Sequence, residues 1–335
     1  LKRLPQKKSK KPFIKPEIIK GDSKLDLNED SYLVAEVFGD NYFRGEFLGF
    51  GLISETKRYF FTKDAVLSNQ DLKAYLEDPK YAKKTFDYKK LYFVLKRNGI
   101  DLKGVSLDLM LAAYLINPAY GSDDIKITAD NFLNNDLPFY ENIYGANKKM
   151  AIPDFQVYTK YSIQKCEVIK ELENNVWDTL KEQNLVSLYE IEQELSEVLA
   201  EMELNGLPVD LKHLENIGTE LSVKAEEIAA EIYQIAGEEF NINSPKQLGE
   251  ILFEKLHLPH GKRTKTGYST DAEVLEQLAP MHIIVSNILE YRQLMKLKST
   301  YVDGLIGVIN KKTGKIHSSF NQTVVVTGRI SSTEP

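Results

Sequence analysis

The sequence holds one cysteine, one tryptophan and five histidines in 335 residues. A lone cysteine, Cys166, excludes an intrachain disulfide framework and fits a reducing compartment. His257 and His260 flank Pro259 with no cysteine or carboxylate at ligand spacing, so a zinc site is not expected there. No run of 18 apolar residues occurs, so a membrane-spanning helix is not expected. The first 20 residues lack the apolar core of a secretory signal, and a cytoplasmic location is the expectation. Glycine-rich phosphate loops are missing too. Gly49 and Gly51 make only G-x-G and lead into a strand, and Leu256 stands where a P-loop ending at Gly261-Lys262 needs its first glycine.

What remains is an ordinary globular composition, 42% hydrophobic and 27% charged, which excludes collagen-like, mucin-like and fully disordered chains. The length corresponds to roughly two domains. A net charge of −6 argues against a nucleic-acid binder, but the charges are unevenly placed. Leu1–Lys20 carries eight basic residues against one acid, Glu17. Lys262, Arg263 and Lys265 form a second basic cluster, with no acid before Asp271.

Residues 1–25, broken by Pro5, Pro12 and Pro16, read as an extended basic linker. Tyr32–Phe38, Gly45–Ser54 and Arg58–Thr62 read as three strands joined by short turns, which favours antiparallel hairpins. Helical spacing follows in Asp71–Leu76, Lys89–Arg97 and Leu107–Ile116, with a short strand around Val105. This order predicts an α/β domain ending near residue 185. The second half reads as helical. Ser187 with Glu190 makes a capping box for a helix to Asn205, with Leu188, Ile191, Leu195, Val198, Leu199 and Met202 as its apolar positions. Gly206 stops it, Asp210 caps the next helix, and the short connection predicts an antiparallel pair. Ser244-Pro245 with Gln247 starts another helix, and Thr270 with Glu273 another. A long helix is predicted over Ile283–Val308, then an extended stretch over Ile316–Val326 and a turn at Gly328.

On the long helix, Arg292, Lys296 and Ser299 follow at i, i+4 and i+7, and Thr300 extends the stripe. Cations and hydroxyls together suit phosphate oxygens, which accept from both. The same pattern also describes a solvated helix face. Lys262-Arg263-Thr264-Lys265-Thr266-Gly267 leaves the same two readings open, an anion-binding loop or a plain surface loop.

Several ordered stretches resemble the family A DNA polymerases of bacteria. They are Phe240–Leu248, Ile251–Leu256, Lys265–Thr270, Tyr291–Tyr301 and, most clearly, Thr327-Gly328-Arg329-Ile330-Ser331-Ser332-Thr333-Glu334-Pro335. The resemblance covers about residues 26–335. It implies a proofreading-exonuclease-like domain of ribonuclease H-like α/β fold over 26–185, a mostly helical thumb over 186–312, and the start of a palm over 313–335. The basic segment 1–25 matches a tether. The implied partner is primer–template duplex DNA, held by a nucleoid-associated monomer with no membrane contact.

The family's palm carboxylates and fingers helix would lie beyond Pro335, and their motifs do not occur in these residues. The resemblance therefore implies no nucleotide incorporation by this stretch, no cofactor within it, and Mg2+ for a full-length polymerase. An active family exonuclease needs four acids to hold two metal ions. Here Glu36 has Val34 and Phe38 two positions either side, so its paired acid is missing. Asp87 matches the second-motif aspartate. In the Tyr-x-x-x-Asp motif, Tyr161 is followed by Lys165 in place of the aspartate. No proofreading and no metal site are expected, with Glu36 and Asp87 left as surface or hydrogen-bonded residues. DNA contacts carried over from the family fall on Asn243, Ser244 and Lys246 at a capped helix start, Lys262, Arg263 and Lys265 at the thumb tip, and Arg292, Lys296, Ser299 and Thr300 on the helix. Asn321, Gln322, Thr327 and Arg329 match the strand and turn near the palm. A stand-alone, non-catalytic duplex-binding protein and a working 3′–5′ exonuclease are the competing readings.

Overall fold

A computed structural model describes residues 13–39, 41–133, 135–260, 263–264 and 267–334. The contacts divide into two compact units. The first is built from the chain up to Asn205 together with Ser318–Thr333, the second from Gly206–His317.

The first unit holds a six-stranded sheet. Its strands are β1 (Glu17–Ile19), β2 (Ser31–Phe38), β3 (Glu46–Ile53), β4 (Arg58–Thr62), β5 (Lys83–Thr85) and β6 (Val105–Asp108), in the order β1-β4-β3-β2-β5-β6. The β2–β3 and β3–β4 pairs are antiparallel, as the short connections predicted, while β2–β5 and β5–β6 are parallel. β2 lies between β3 and β5, and its first seven residues are buried on both faces, which is why its sequence is nearly continuously apolar. Helices α1 (Lys63–Ser68), α2 (Gln70–Glu77), α3 (Tyr88–Arg97), α4 (Leu109–Ile116), α5 (Ile125–Asp130) and α6 (Tyr140–Tyr144) follow in chain order. The helix expected over Leu107–Ile116 starts two residues late, because Leu107 and Asp108 finish β6.

Two long helices complete this unit, α7 (Phe155–Glu182) and α8 (Val186–Asn205). α7 lies where no element was expected, although it buries Tyr158, Tyr161, Ser162, Lys165, Cys166, Ile169, Leu172, Val176 and Leu180 at helical spacing. A lysine, a serine and two tyrosines within the buried stripe disguise its apolar period. α7 lies directly on the sheet at Gly51, whose N–H donates to Ser162 Oγ at 2.9 Å. A Cβ on Gly51 would stand 2.6 Å from that oxygen, so the close approach requires glycine.

α8 differs from its expectation in three ways. It starts at Val186, so Ser187 lies inside the first turn rather than capping it. It belongs to the first unit, so the contacts divide at Asn205 and not at 185, and α8 does not share a unit with the helix expected to pair with it. Its buried face is also shifted, with Leu199 alone of the expected apolar positions fully buried. Leu188, Ile191, Val198 and Met202 are exposed, whereas Tyr189, Ser196, Leu199, Ala200 and Glu203 are buried. The reason is that polar groups dock it: Tyr92 Oη donates to Glu201 at 2.7 Å, and the Asp108 N–H donates to Tyr189 Oη at 2.6 Å.

The second unit is helical around one core containing Ile228, Ile232, Leu248, Leu252, Leu275, Ile284 and Ile288. α9 (Leu211–Ala236) is capped by Asp210, which accepts from the His213 N–H at 2.9 Å, and ends at Gly237 with φ +73°. α10 (Pro245–Gly249) has Ser244 as its cap and Pro245 in its first turn, and continues as a π-helical stretch over Glu250–Lys255. α11 (Ala272–Leu278) is capped by Asp271 rather than Thr270, with the Val274 N–H donating to Asp271 at 3.0 Å. The predicted long helix is α12 (Ile283–Lys296), prolonged by a π-helical turn over Leu297–Asp303 and a last segment over Gly304–Val308. Of the stretch expected to be extended, only Lys315–Ile316 and Ser319–Asn321 pair as strands, with Leu207–Pro208 and Ser331–Thr333.

Candidate functional site

The exonuclease-like centre lies at β2, where Val34 and Glu36 point to one face by strand alternation. Glu36 is 1% exposed, and Lys165 from α7 places its ammonium 2.5 Å from Glu36 Oε1. The contact is an ion pair, and Oε1 receives no aligned hydrogen bond. Tyr144 Oη donates to the other oxygen at 2.8 Å. Burial, and then the Glu36 charge, push the Tyr144 hydroxyl well above its ordinary pKa, so it remains a donor. Lys165 also lies over the Tyr161 ring, 4.5 Å from its centre. A small open pocket lies here, lined in part by Glu36, Lys90, Asp123, Asp124, Tyr161 and Lys165.

Asp87 is 6% exposed and takes left-handed backbone geometry, φ +63°. Its carboxylate caps α3, accepting from the Lys90 N–H at 3.0 Å and pairing with the Lys90 ammonium at 3.1 Å. The turn is fixed by Asp108, which the motif analysis missed. It accepts the N–H groups of Asp87 and Tyr88 at 2.9 and 2.8 Å. Burial, then the Asp87 charge, push Asp108 up to about 6. Glu36 and Asp87 are thus hydrogen-bonded but interior; neither is a surface residue, and burial behind apolar strand positions is what hid this in the sequence.

In the second unit, Asn243 and Lys246 are exposed at the start of α10, and Ser244 Oγ accepts the Gln247 N–H at 3.5 Å. Lys296, Ser299 and Thr300 are exposed at the end of α12 and in the turn after it. Arg292 differs from its neighbours on the stripe. Its guanidinium donates to the Thr270 carbonyl at 2.6 Å and the Ile242 carbonyl at 3.4 Å, joining α12 to the starts of α10 and α11. Burial alone lowers its pKa. Arg292, expected to meet phosphate, is thus a half-buried strut with two of its five N–H donors on these carbonyls. Lys262 and Lys265 lie outside the described residues, and of Arg263 only the backbone is described, paired with Tyr268.

Asn321, Gln322, Thr327 and Arg329 fall in the first unit. Thr327 and Arg329 are exposed, around the left-handed Gly328 at φ +74°. Gln322 is buried and spent on α8: it accepts from Ser196 Oγ at 2.8 Å and donates to the Glu192 carbonyl and carboxylate at 2.9 and 2.8 Å. Gln322 was expected to meet DNA; in the structure both of its amide hydrogens and one lone pair of its oxygen are taken by α8. Asn321 donates to Thr333 Oγ1 at 3.4 Å.

The profile of DNA polymerase family A matches residues 211–335, and that of the ribonuclease H-like domain of DNA polymerase I matches residues 33–172. DNA polymerase I of Geobacillus stearothermophilus is 44% identical over 329 residues, which is 97% of this chain and 37% of that protein. DNA polymerase I of Bacillus subtilis (strain 168) is 43% identical over 310 residues, 92% of this chain and 35% of that protein. The chain belongs to DNA polymerase family A. It spans little more than a third of the length of these relatives. Among solved structures, the POL domain of Pol1 from M. smegmatis, in complex with DNA primer-template and dNTP, aligns with a TM-score of 0.73 and 29% identity over 92% of this chain and 52% of that one. The mixed α/β first part and helical second part expected from the sequence agree with both.

The metal pair that a proofreading domain of this family implies does not fit these residues. Val34 offers no ligand, Lys165 brings a cation, and Glu36 is already neutralised by it. Among the described residues, no group of three or more histidine, cysteine or acidic side chains is arranged to hold a metal ion. Cys166 is fully buried in this layer, where burial raises its thiol pKa.

Proposed function

We propose that this chain is the exonuclease-like and thumb portion of a DNA-directed DNA polymerase, that its task is to hold primer–template duplex, and that by itself it neither extends nor trims a primer. The observation carrying the binding role is the exposed donor set of the helical unit: Asn243 and Lys246 before and within α10, and Lys296, Ser299 and Thr300 at the end of α12. Such donors engage phosphates without reading bases. Support comes from the neighbouring structure, whose title records DNA primer-template and dNTP bound to that protein. The absence of trimming follows from the Glu36–Lys165 pair, which leaves nothing to hold two ions. Polymerisation needs Mg2+ on palm carboxylates that these residues do not contain. We place the protein in the cytoplasm as a nucleoid-associated monomer; none of the described helices is long and apolar enough to cross a membrane.

Titration of the chain with labelled primer–template duplex at 50 and 200 mM salt tests this. Phosphate neutralisation by the two lysines of this set predicts a loss of affinity of about tenfold across that range. Salt-independent binding, or no binding at the lower salt, would overturn the duplex role. Primer extension with Mg2+, or 3′ trimming with Mn2+, would overturn the inactivity.

A further inference from the structure

The stretch 319–325 is held on the first unit by its backbone as well as by the Gln322 side chain. Lys89 from α3 donates to the Phe320 carbonyl at 2.5 Å, while Glu203 from α8 accepts the Phe320 N–H at 2.8 Å. The two side chains are themselves an ion pair at 2.5 Å, 8% and 1% exposed. Tyr42 Oη donates to the second Glu203 oxygen. Five residues on, Tyr114 Oη from α4 donates to the Val325 carbonyl at 2.6 Å. Between them, a Cβ on Gly121 would stand 2.8 Å from the Thr323 carbonyl oxygen, so the glycine admits the chain's close approach. None of these groups belongs to the degenerate exonuclease centre or to the exposed donor set.

We propose that Lys89, Glu203 and Tyr114 are positioning residues: they grip 319–325 by its main chain and so set where Thr327 and Arg329 meet DNA. A ribonuclease H-like layer without metal ligands thereby keeps a task, as the platform for the first palm segment. Bonds to carbonyls and an N–H hold the path of this stretch at Phe320 and Val325 without depending on the side chains there, and the Gln322 bonds to α8 act beside them. An ordered path removes the conformational freedom that Arg329 would otherwise lose on binding.

The inference rests on the duplex-binding reading, and the experiment separates the two. Tyr114→Phe with Gly121→Ala loosens the far end of the grip without uncovering the buried ion pair. Hydrogen exchange is measured along the full chain, and duplex affinity is measured with and without Arg329→Ala. Exchange should quicken in 319–333 while the sheet strands stay protected. Affinity should fall by about three- to tenfold, the range one hydrogen bond spans. With Arg329→Ala already present, the same pair of changes should cost almost nothing more. If Arg329→Ala weakens binding but Tyr114→Phe/Gly121→Ala does not, or if the two effects simply add, the positioning role is wrong. If Arg329→Ala leaves binding unchanged, the duplex reading of this segment fails first and takes the proposal with it. A general loss of protection across β2 and β3 would also refute it, since the two side chains would then serve the fold as a whole.

Discussion

Lys165→Met takes the ammonium away from Glu36 and leaves a carboxylate 1% exposed with one remaining donor, Tyr144. Methionine keeps nearly the shape of the lysine stem, so the change tests charge more than volume. Deleting one partner of a buried pair costs about 3–5 kcal/mol, because the other charge stays desolvated. The surviving Tyr144 bond puts the expectation at the lower end, about 3 kcal/mol. Glu36→Gln should cost less, about 2 kcal/mol, since Lys165 retains the Tyr161 ring 4.5 Å away and some access to water. Removing both charges, Glu36→Gln with Lys165→Met, should return the protein to within about 1 kcal/mol of the parent.

Urea denaturation followed by Trp177 fluorescence reads the right part of the molecule. Trp177 is the only tryptophan and packs on Tyr189 inside the first unit, ring centres 5.3 Å apart. The slope of the transition should not change, so the midpoints carry the comparison. A coupling energy of about 4–5 kcal/mol is expected from the cycle. Lys165→Met within about 1 kcal/mol of the parent, or a double variant as unstable as the two singles combined, would refute the reasoning. Millimolar Mg2+ should leave the parent midpoint unmoved, because a ligand that does not bind the folded state cannot shift it.

Two further outcomes are expected. Lys83 is fully buried, and burial lowers its pKa from 10.5 to about 8. The unfolded chain therefore holds that proton more tightly, so stability should rise between pH 8 and 10.5 and the cost of burying the ammonium should be full below pH 8. Urea midpoints at pH 7.5 and 9.5 should show the parent gaining relative to Lys83→Met; a parallel response of the two would count against it. Arg292→Met should lower the stability of the helical unit by about 2 kcal/mol through its two lost carbonyl partners, read as a shift in the far-ultraviolet circular dichroism transition. Weaker duplex binding with an unshifted transition would instead make Arg292 a phosphate contact.

The hairpin strands were legible because β2, β3 and β4 are short runs of aromatic and branched residues between turn residues, a local signal that tertiary contacts only reinforced. The Lys165 substitution was legible as well, since a motif's spacing names the position whatever fills it. Other features depended on distant partners. Arg292 and Lys296 look alike on a helical wheel, but only Arg292 meets carbonyls 22 and 50 residues away. Gln322 resembles an exposed strand amide until Ser196 and Glu192 arrive from α8. α8 misled for a related reason. Its apolar stripe was real, but the helix docks by Tyr189, Ser196 and Glu203, whose hydrogen bonds a hydrophobic pattern does not register.

The two buried ion pairs of the first unit, Glu36–Lys165 and Lys89–Glu203, each close at 2.5 Å, yet they do different work. Glu36 pairs with Lys165 and accepts from one tyrosine hydroxyl, and among the described residues no main-chain group bonds to either side chain. An apolar pair of similar volume should therefore serve as well, since burying opposite charges gains little over packing hydrocarbon. Lys89 and Glu203 also hold the carbonyl and N–H of Phe320. An apolar replacement there would leave both of these part-buried groups without their partners, and each unsatisfied buried group costs up to about 1–3 kcal/mol. The charged pair is thus dispensable where the metal ligands were lost and required where the next segment is held. If apolar replacement of Lys89 and Glu203 proved as mild as replacement of Glu36 and Lys165, the strand would not be relying on them, and the first unit would be left with no task that its interior charges explain.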